Sequence, residues 1–166
     1  MKSLKLYTTL GIILVSVVGT LLHFAYEFSA GNPVVALFVP VNESTWEHMK
    51  LIFFPMLLYT IYSNKKLSSK YPCVYSASYF GILLGTILIP ILFYTYSGIL
   101  GYNIAIVDIL TFYISVFIAF FAYYKLTLSC SLEKHRTLLF ILVILLFIFF
   151  IFFTIYPPNI GLFISP

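Results

Sequence analysis

Six side chains in this chain combine reactive chemistry with regular spacing: His23, Glu27, Glu43, Glu47, His48 and Asp108. His23-x3-Glu27 and Glu43-x3-Glu47 each place two donors one helical turn apart, on a single face. With His48 and Asp108 they form a set of imidazole nitrogens and carboxylate oxygens, the donor types that suit zinc or a similar divalent ion. An ion held with one open coordination position activates water, and a spare carboxylate can then act as general base. No His-Glu-x-x-His motif is present, so any such site must be assembled from separate helices.

Local structure offers a competing account of the same residues. Ser44-Thr45-Trp46-Glu47 fits a capping box, in which Ser and Glu satisfy free N–H groups at a helix start. Glu43 and Glu47 complement the positive N-terminal dipole, and Trp46 suits an interfacial aromatic anchor. Lys50 lies at ion-pair spacing from Glu47, and Asn42 completes the polar run before the helix. Asp108 is harder to explain locally; in apolar surroundings it needs a partner, and Lys50 and His23 are the candidates. Glu27 falls at a helix C-terminus, where the dipole disfavours an acid.

The elements that must position these groups are membrane helices. Only 8% of residues are charged against 62% hydrophobic, and the mean hydropathy is +1.08. That composition excludes an ordinary soluble domain. The net charge of +4 is no nucleic-acid signature, because Lys and Arg lie in short segments between apolar blocks. Five blocks, about 6–28, 45–62, 73–96, 103–124 and 137–156, approach or exceed the roughly 20 residues a crossing needs. The expected fold is therefore an all-α integral membrane protein, a single domain over 1–166 built as a bundle of five transmembrane helices.

Basic residues set the expected orientation. Lys2 and Lys5 precede the first block, Lys65, Lys66 and Lys70 follow the second, and Lys125, Lys134 and Arg136 separate the last two. The positive-inside rule then predicts a cytoplasmic N-terminus and an external C-terminus for a multipass protein of the cell membrane. The N-terminus resembles a signal peptide, but no small-residue cleavage site follows Ala25, so it reads as a retained span. Segment 29–44, broken by Pro33 and Pro40, is too short to cross and is expected to be an outer surface-lying or re-entrant loop. Two cysteines, Cys73 and Cys130, are too few for a disulfide framework or a metal motif.

This orientation gathers the six candidates at the outer end. Thr9, Ser16, Thr20, His23 and Glu27 share one face of the first span, and Asp108, Thr111 and Ser115 share a face of the fourth. Polar stripes in membrane helices turn toward the bundle interior, so the two stripes are expected to face a small chamber. The last span has Thr154 as its only hydrogen-bonding side chain from Leu138 to Ile155 and is expected to be peripheral. Gly81 and Gly85 favour close helix contact.

The pattern resembles a small family of multipass bacterial membrane proteins known only as a domain of unknown function. The resemblance rests on His23-Phe24-Ala25-Tyr26-Glu27, on Pro40-Val41-Asn42-Glu43-Ser44-Thr45-Trp46-Glu47-His48 with Lys50, and on Tyr96-Ser97-Gly98-Ile99 with Gly101 and Asp108. It implies an integral membrane protein and no particular activity.

The functional expectation is an outer-leaflet His/carboxylate site that binds a cation or small polar ligand. His23, Glu27, Glu47, His48 and Asp108 are the metal candidates, with Glu43 a further ligand candidate. Asn42, Trp46, Lys50, Thr20 and Thr111 are the supporting groups. Rival readings are an intramembrane metal-dependent hydrolase and a structural or assembly protein whose polar cluster is a packing network. Transport is opposed by a cytoplasmic half that lacks acidic and His residues within its spans. The expected partner is the lipid bilayer; a homo-oligomer or another membrane protein stays open, and nucleic acid is not expected.

Overall fold

The computed structural model describes residues 2–165, which form helices joined by turns and irregular segments, with no strand. The helices are α1 (Lys2–Leu22), α2 (Ala25–Phe28), α3 (Pro33–Ala36), α4 (Thr45–Leu67), α5 (Val74–Leu100), α6 (Ala105–Ser129) and α7 (Arg136–Ile155). Four segments are long and apolar enough to cross a membrane: α1, α5, α6 and the stretch Glu133–Ile155 that contains α7.

The fifth long helix, α4, carries the polar opening motif and is the most enclosed. Sixteen of its 23 residues are buried, whereas α7 buries only Leu139, Val143 and Phe150. The polar helix is thus sheathed by the apolar ones, as expected where lipid offers polar groups no hydrogen bonds. Long helices consecutive in the chain run in opposite directions. Tyr59 in the second half of α4 donates to the carbonyl of Tyr7 near the start of α1, and Trp46 at the start of α4 packs at a tilt against Phe150 near the end of α7, with centroids 4.8 Å apart. The ends of α1, α5 and α7 therefore lie with the starts of α4 and α6.

Close packing rests on small residues. A Cβ at Gly85 would lie 2.8 Å from Cβ of Ala119, and one at Gly81 3.0 Å from the Ala119 carbonyl, so both glycines seat α5 against α6. Gly19 is tighter, since a Cβ there would come within 2.5 Å of both the Leu51 carbonyl oxygen and Phe112. Replacing Gly19 by Ala must push α1 away from α4 and α6. A loss of about 1–3 kcal/mol is expected in reversible unfolding in mixed micelles; an unchanged midpoint would show that α1 docks more loosely.

Two sequence expectations change. The first span does not run unbroken to 28: α1 stops at Leu22, a turn follows in which Phe24 N–H donates to the Leu21 carbonyl at 3.2 Å, and α2 begins at Ala25. Cys73 and Cys130, too few for a framework, nevertheless pair in one disulfide across 57 residues. It ties the start of α5 to the end of α6, at the bundle end that also carries eight of the nine basic residues.

Candidate metal centre

Two helix ends and one loop converge opposite the basic end. His23 occupies the turn after α1, Glu43 precedes α4, and His48 is in the first turn of α4. His23 Nε2 and His48 Nε2 are 3.2 Å apart, and Glu43 Oε2 lies 3.6 Å from His23 Nε2 and 3.4 Å from His48 Nε2. Tetrahedral bonds of ~2.05 Å to zinc would set neighbouring ligands about 3.3 Å apart, so these separations match three edges of such a shell.

The protonation pattern agrees. His48 Nδ1 lies 2.9 Å from the Ser44 carbonyl, which can only accept, so Nδ1 carries the proton. In the neutral ring this leaves the Nε2 lone pair facing His23 and Glu43. A backbone carbonyl orienting the remote ring nitrogen is the usual second support of a metal-binding His. The Glu43 side chain is 67% exposed, which gives an ion a path in and out.

A cavity of about 630 Å³ adjoins the triad, bounded by α1, α4, α5 and α6. Its volume falls within the roughly 300–1,000 Å³ typical of small-molecule sites. Asp108 lines the cavity with Asn103 and Thr111. Asp108 is held away from the triad's contacts: Oδ1 accepts from the Tyr96 hydroxyl and Oδ2 from Asn103 Nδ2 at 3.3 Å. Its partners are thus Tyr96 and Asn103, not Lys50 or His23. Thr111 caps its own turn by donating to the Asp108 carbonyl at 2.7 Å. Thr20, on α1, bridges to the Tyr113 hydroxyl at 3.0 Å across the same cavity.

Glu27 and Glu47 lie elsewhere. Glu27 is exposed on α2, and no side-chain partner is found for it among the described residues. The break after Leu22 explains this, because His23 and Glu27 no longer share a continuous helix. Glu47 is buried; its Oε2 accepts from the Val41 N–H at 3.1 Å and from Lys50 Nζ at 2.6 Å. The capping box is rearranged accordingly. Ser44 Oγ accepts from Glu47 N–H at 3.4 Å, but Asn42 Oδ1, not Glu47, accepts from the Ser44 N–H at 2.9 Å.

Lys50 is the hub of this second cluster and is fully buried. Besides Glu47, its ammonium donates to the carbonyls of Ala36 and Val39 at 3.0 and 3.3 Å and to Thr154 Oγ1 at 2.6 Å. One cation thereby joins the 29–44 segment, α4 and the C-terminal end of α7. Trp46 is likewise no interfacial anchor: it is 6% exposed and packed among Phe150, Phe153 and Phe163.

The fold and the site define an all-helical protein with several helices apolar enough for a membrane and a compact cluster of two histidines and one carboxylate at one end of the bundle. The chain belongs to a family of unknown function, DUF6512, whose family model matches residues 1–165. No curated protein and no solved structure matches it. Tyr96, Asn103 and Tyr113 are not among the sequence candidates; the unmet need of Asp108 for partners points to the first two, and Tyr96 also opens the string it shares with Asp108 in the family resemblance.

Proposed function

We propose that the protein is a membrane-embedded divalent-metal protein in which His23, His48 and Glu43 hold zinc or a similar ion, leaving one coordination position toward the cavity. The observation that carries this reading is the match between the three donor separations and the edges of a tetrahedral shell. An ion there would act as a Lewis acid or as a source of hydroxide, and Asp108, on the same cavity and outside the triad, is the carboxylate that would act as base, oriented by Tyr96 and Asn103. That spare carboxylate favours an intramembrane metal-dependent hydrolase over a purely structural polar cluster. Elemental analysis of purified protein tests the centre. About one divalent ion per chain is expected, and His23→Ala should weaken binding at least about tenfold. Protein that takes up no ion from zinc-containing buffer would refute the assignment.

We further propose that α4 crosses with its neighbours, giving five spans with the basic end in the cytoplasm. Eight basic residues support this side, while the disulfide at the same end suits an oxidising compartment. With the basic end inside, Cys73 and Cys130 are kept as thiols in the growing cell and pair on oxidation. Alkylation with a membrane-permeant maleimide before lysis should then label both cysteines, whereas an impermeant one should label neither. Labelling of intact cells by the impermeant reagent after mild reduction would reverse the orientation.

A further inference from the structure

The cavity beside the triad is graded from polar to apolar along the bundle axis. Its imidazole and carboxylate groups, His23, Glu43, His48 and Asp108, lie with Asn103 at the helix ends, and the hydroxyls of Thr20, Thr111 and Tyr113 lie deeper. Its depth is lined by Leu51, Ile89, Phe93 and Phe112. From the start of α4 to Leu51, and from the start of α6 to Tyr113, the helical rise is about 9–12 Å. One wall is incomplete. Phe24 on the α1 side and Ile109 and Tyr113 on α6 line the cavity, yet are 48%, 56% and 38% exposed, so the space opens sideways between α1 and α6. The Thr20–Tyr113 hydrogen bond crosses this slit. In a bilayer such a slit faces lipid, with its polar end at head-group depth.

We propose that the ligand of the metal centre is a neutral single-chain amphiphile with a carbonyl head, such as an acyl ester or amide, entering laterally between α1 and α6. This rests on the metal reading above. The carbonyl oxygen takes the open coordination position, an O–H or N–H of the head donates to Asp108, and the chain lies against Leu51, Ile89 and Phe112. Charge selects a neutral head. The carboxylates of Glu43 and Asp108 offset the two charges of a divalent ion, leaving nothing to attract an anion into a site of low polarity. The depth of the polar groups matches where a carbonyl head sits in a leaflet, and the apolar length below them matches a chain directed toward the membrane centre.

The test uses N-dodecanoylethanolamine carrying a diazirine midway along its chain, with the full-length protein in phosphatidylcholine nanodiscs. In zinc-loaded protein, photolabel should map to α4 near Leu51 and to α6 from Ile109 to Tyr113. Chelation of the zinc should lower that labelling about tenfold, a difference of ~1.4 kcal/mol in binding. Ile109→Trp, which narrows the slit, should lower it similarly while zinc content stays unchanged, a control that the variant is folded. Release of dodecanoate that depends on zinc would support the inference equally. Labelling of zinc-loaded protein that is no stronger at these sites than on lipid-facing α7, with no zinc-dependent release, would overturn the inference and leave the metal centre standing. The same holds if dodecanoate itself competes as well as the neutral amide. Failure to take up zinc would instead refute the centre and the inference together.

Discussion

Replacing Lys50 by Ala is expected to lower stability by about 3–5 kcal/mol, the usual cost of leaving one member of a buried ion pair uncompensated. The structure gives the reason residue by residue. Lys50 is the sole cation within reach of the buried Glu47 carboxylate among the described residues, and its ammonium also satisfies the carbonyls of Ala36 and Val39 and the hydroxyl of Thr154. Removing it unfastens the 29–44 segment and α7 together. Reversible denaturation in mixed micelles should show the loss. The double variant Glu47→Gln/Lys50→Met should recover a large part of it, because a buried pair replaced by uncharged groups of similar volume no longer carries an unpaired charge. Additive losses in the double variant would show that the two residues act independently.

The second large effect separates two glutamates of one motif. Glu43→Gln is expected to reduce zinc affinity by about 10–100-fold, the range typical of damaging a metal site's supporting or ligating groups, with little change in stability. Glu47→Gln should do the reverse, destabilising the protein by about 3–5 kcal/mol, because it leaves the buried Lys50 ammonium uncompensated, while it still binds zinc. Isothermal titration with zinc, paired with denaturation of each variant, reads both quantities. Equal loss of zinc in both variants would place Glu47 in the shell and contradict the geometry, in which its Oε2 is engaged by Lys50 and Val41.

These two glutamates show how far residue spacing reaches. Glu43 and Glu47 lie at helical i,i+4 spacing, which suggests that they act together. In the fold Glu43 lies before the first turn of α4 and is exposed, whereas Glu47 lies within that turn and faces inward. A helix boundary between them assigns one to the metal cluster and the other to a packing network. The same reasoning separates His23 from Glu27. No Gly or Pro marks the turn at His23 and Phe24, so the hydrophobic pattern reads straight through it.

The disulfide was equally hidden. Two cysteines 57 residues apart carry no spacing signal, and only the antiparallel pairing of α5 with α6 brings them together. Thr154 belongs with it. As a lone hydroxyl in an apolar helix it reads as lipid-facing, yet it meets a lysine 104 positions earlier in the chain.

What the amino-acid order determines by itself is the class of architecture and the inventory of chemistry. Apolar blocks of crossing length, basic residues gathered in alternate connections, and a short list of His and carboxylate side chains near one end follow from composition and periodicity alone, because the bilayer imposes both. Family membership rests on the same linear pattern, over residues 1–165. Which of those side chains meet is a different matter. The triad requires a break in the first helix, a cap on the fourth and a neighbouring cavity, and each depends on contacts between residues far apart in the chain. Tertiary packing therefore decided that His23, Glu43 and His48 converge, that Asp108 faces them across a cavity, and that Glu47 and Lys50 hold the fold together instead.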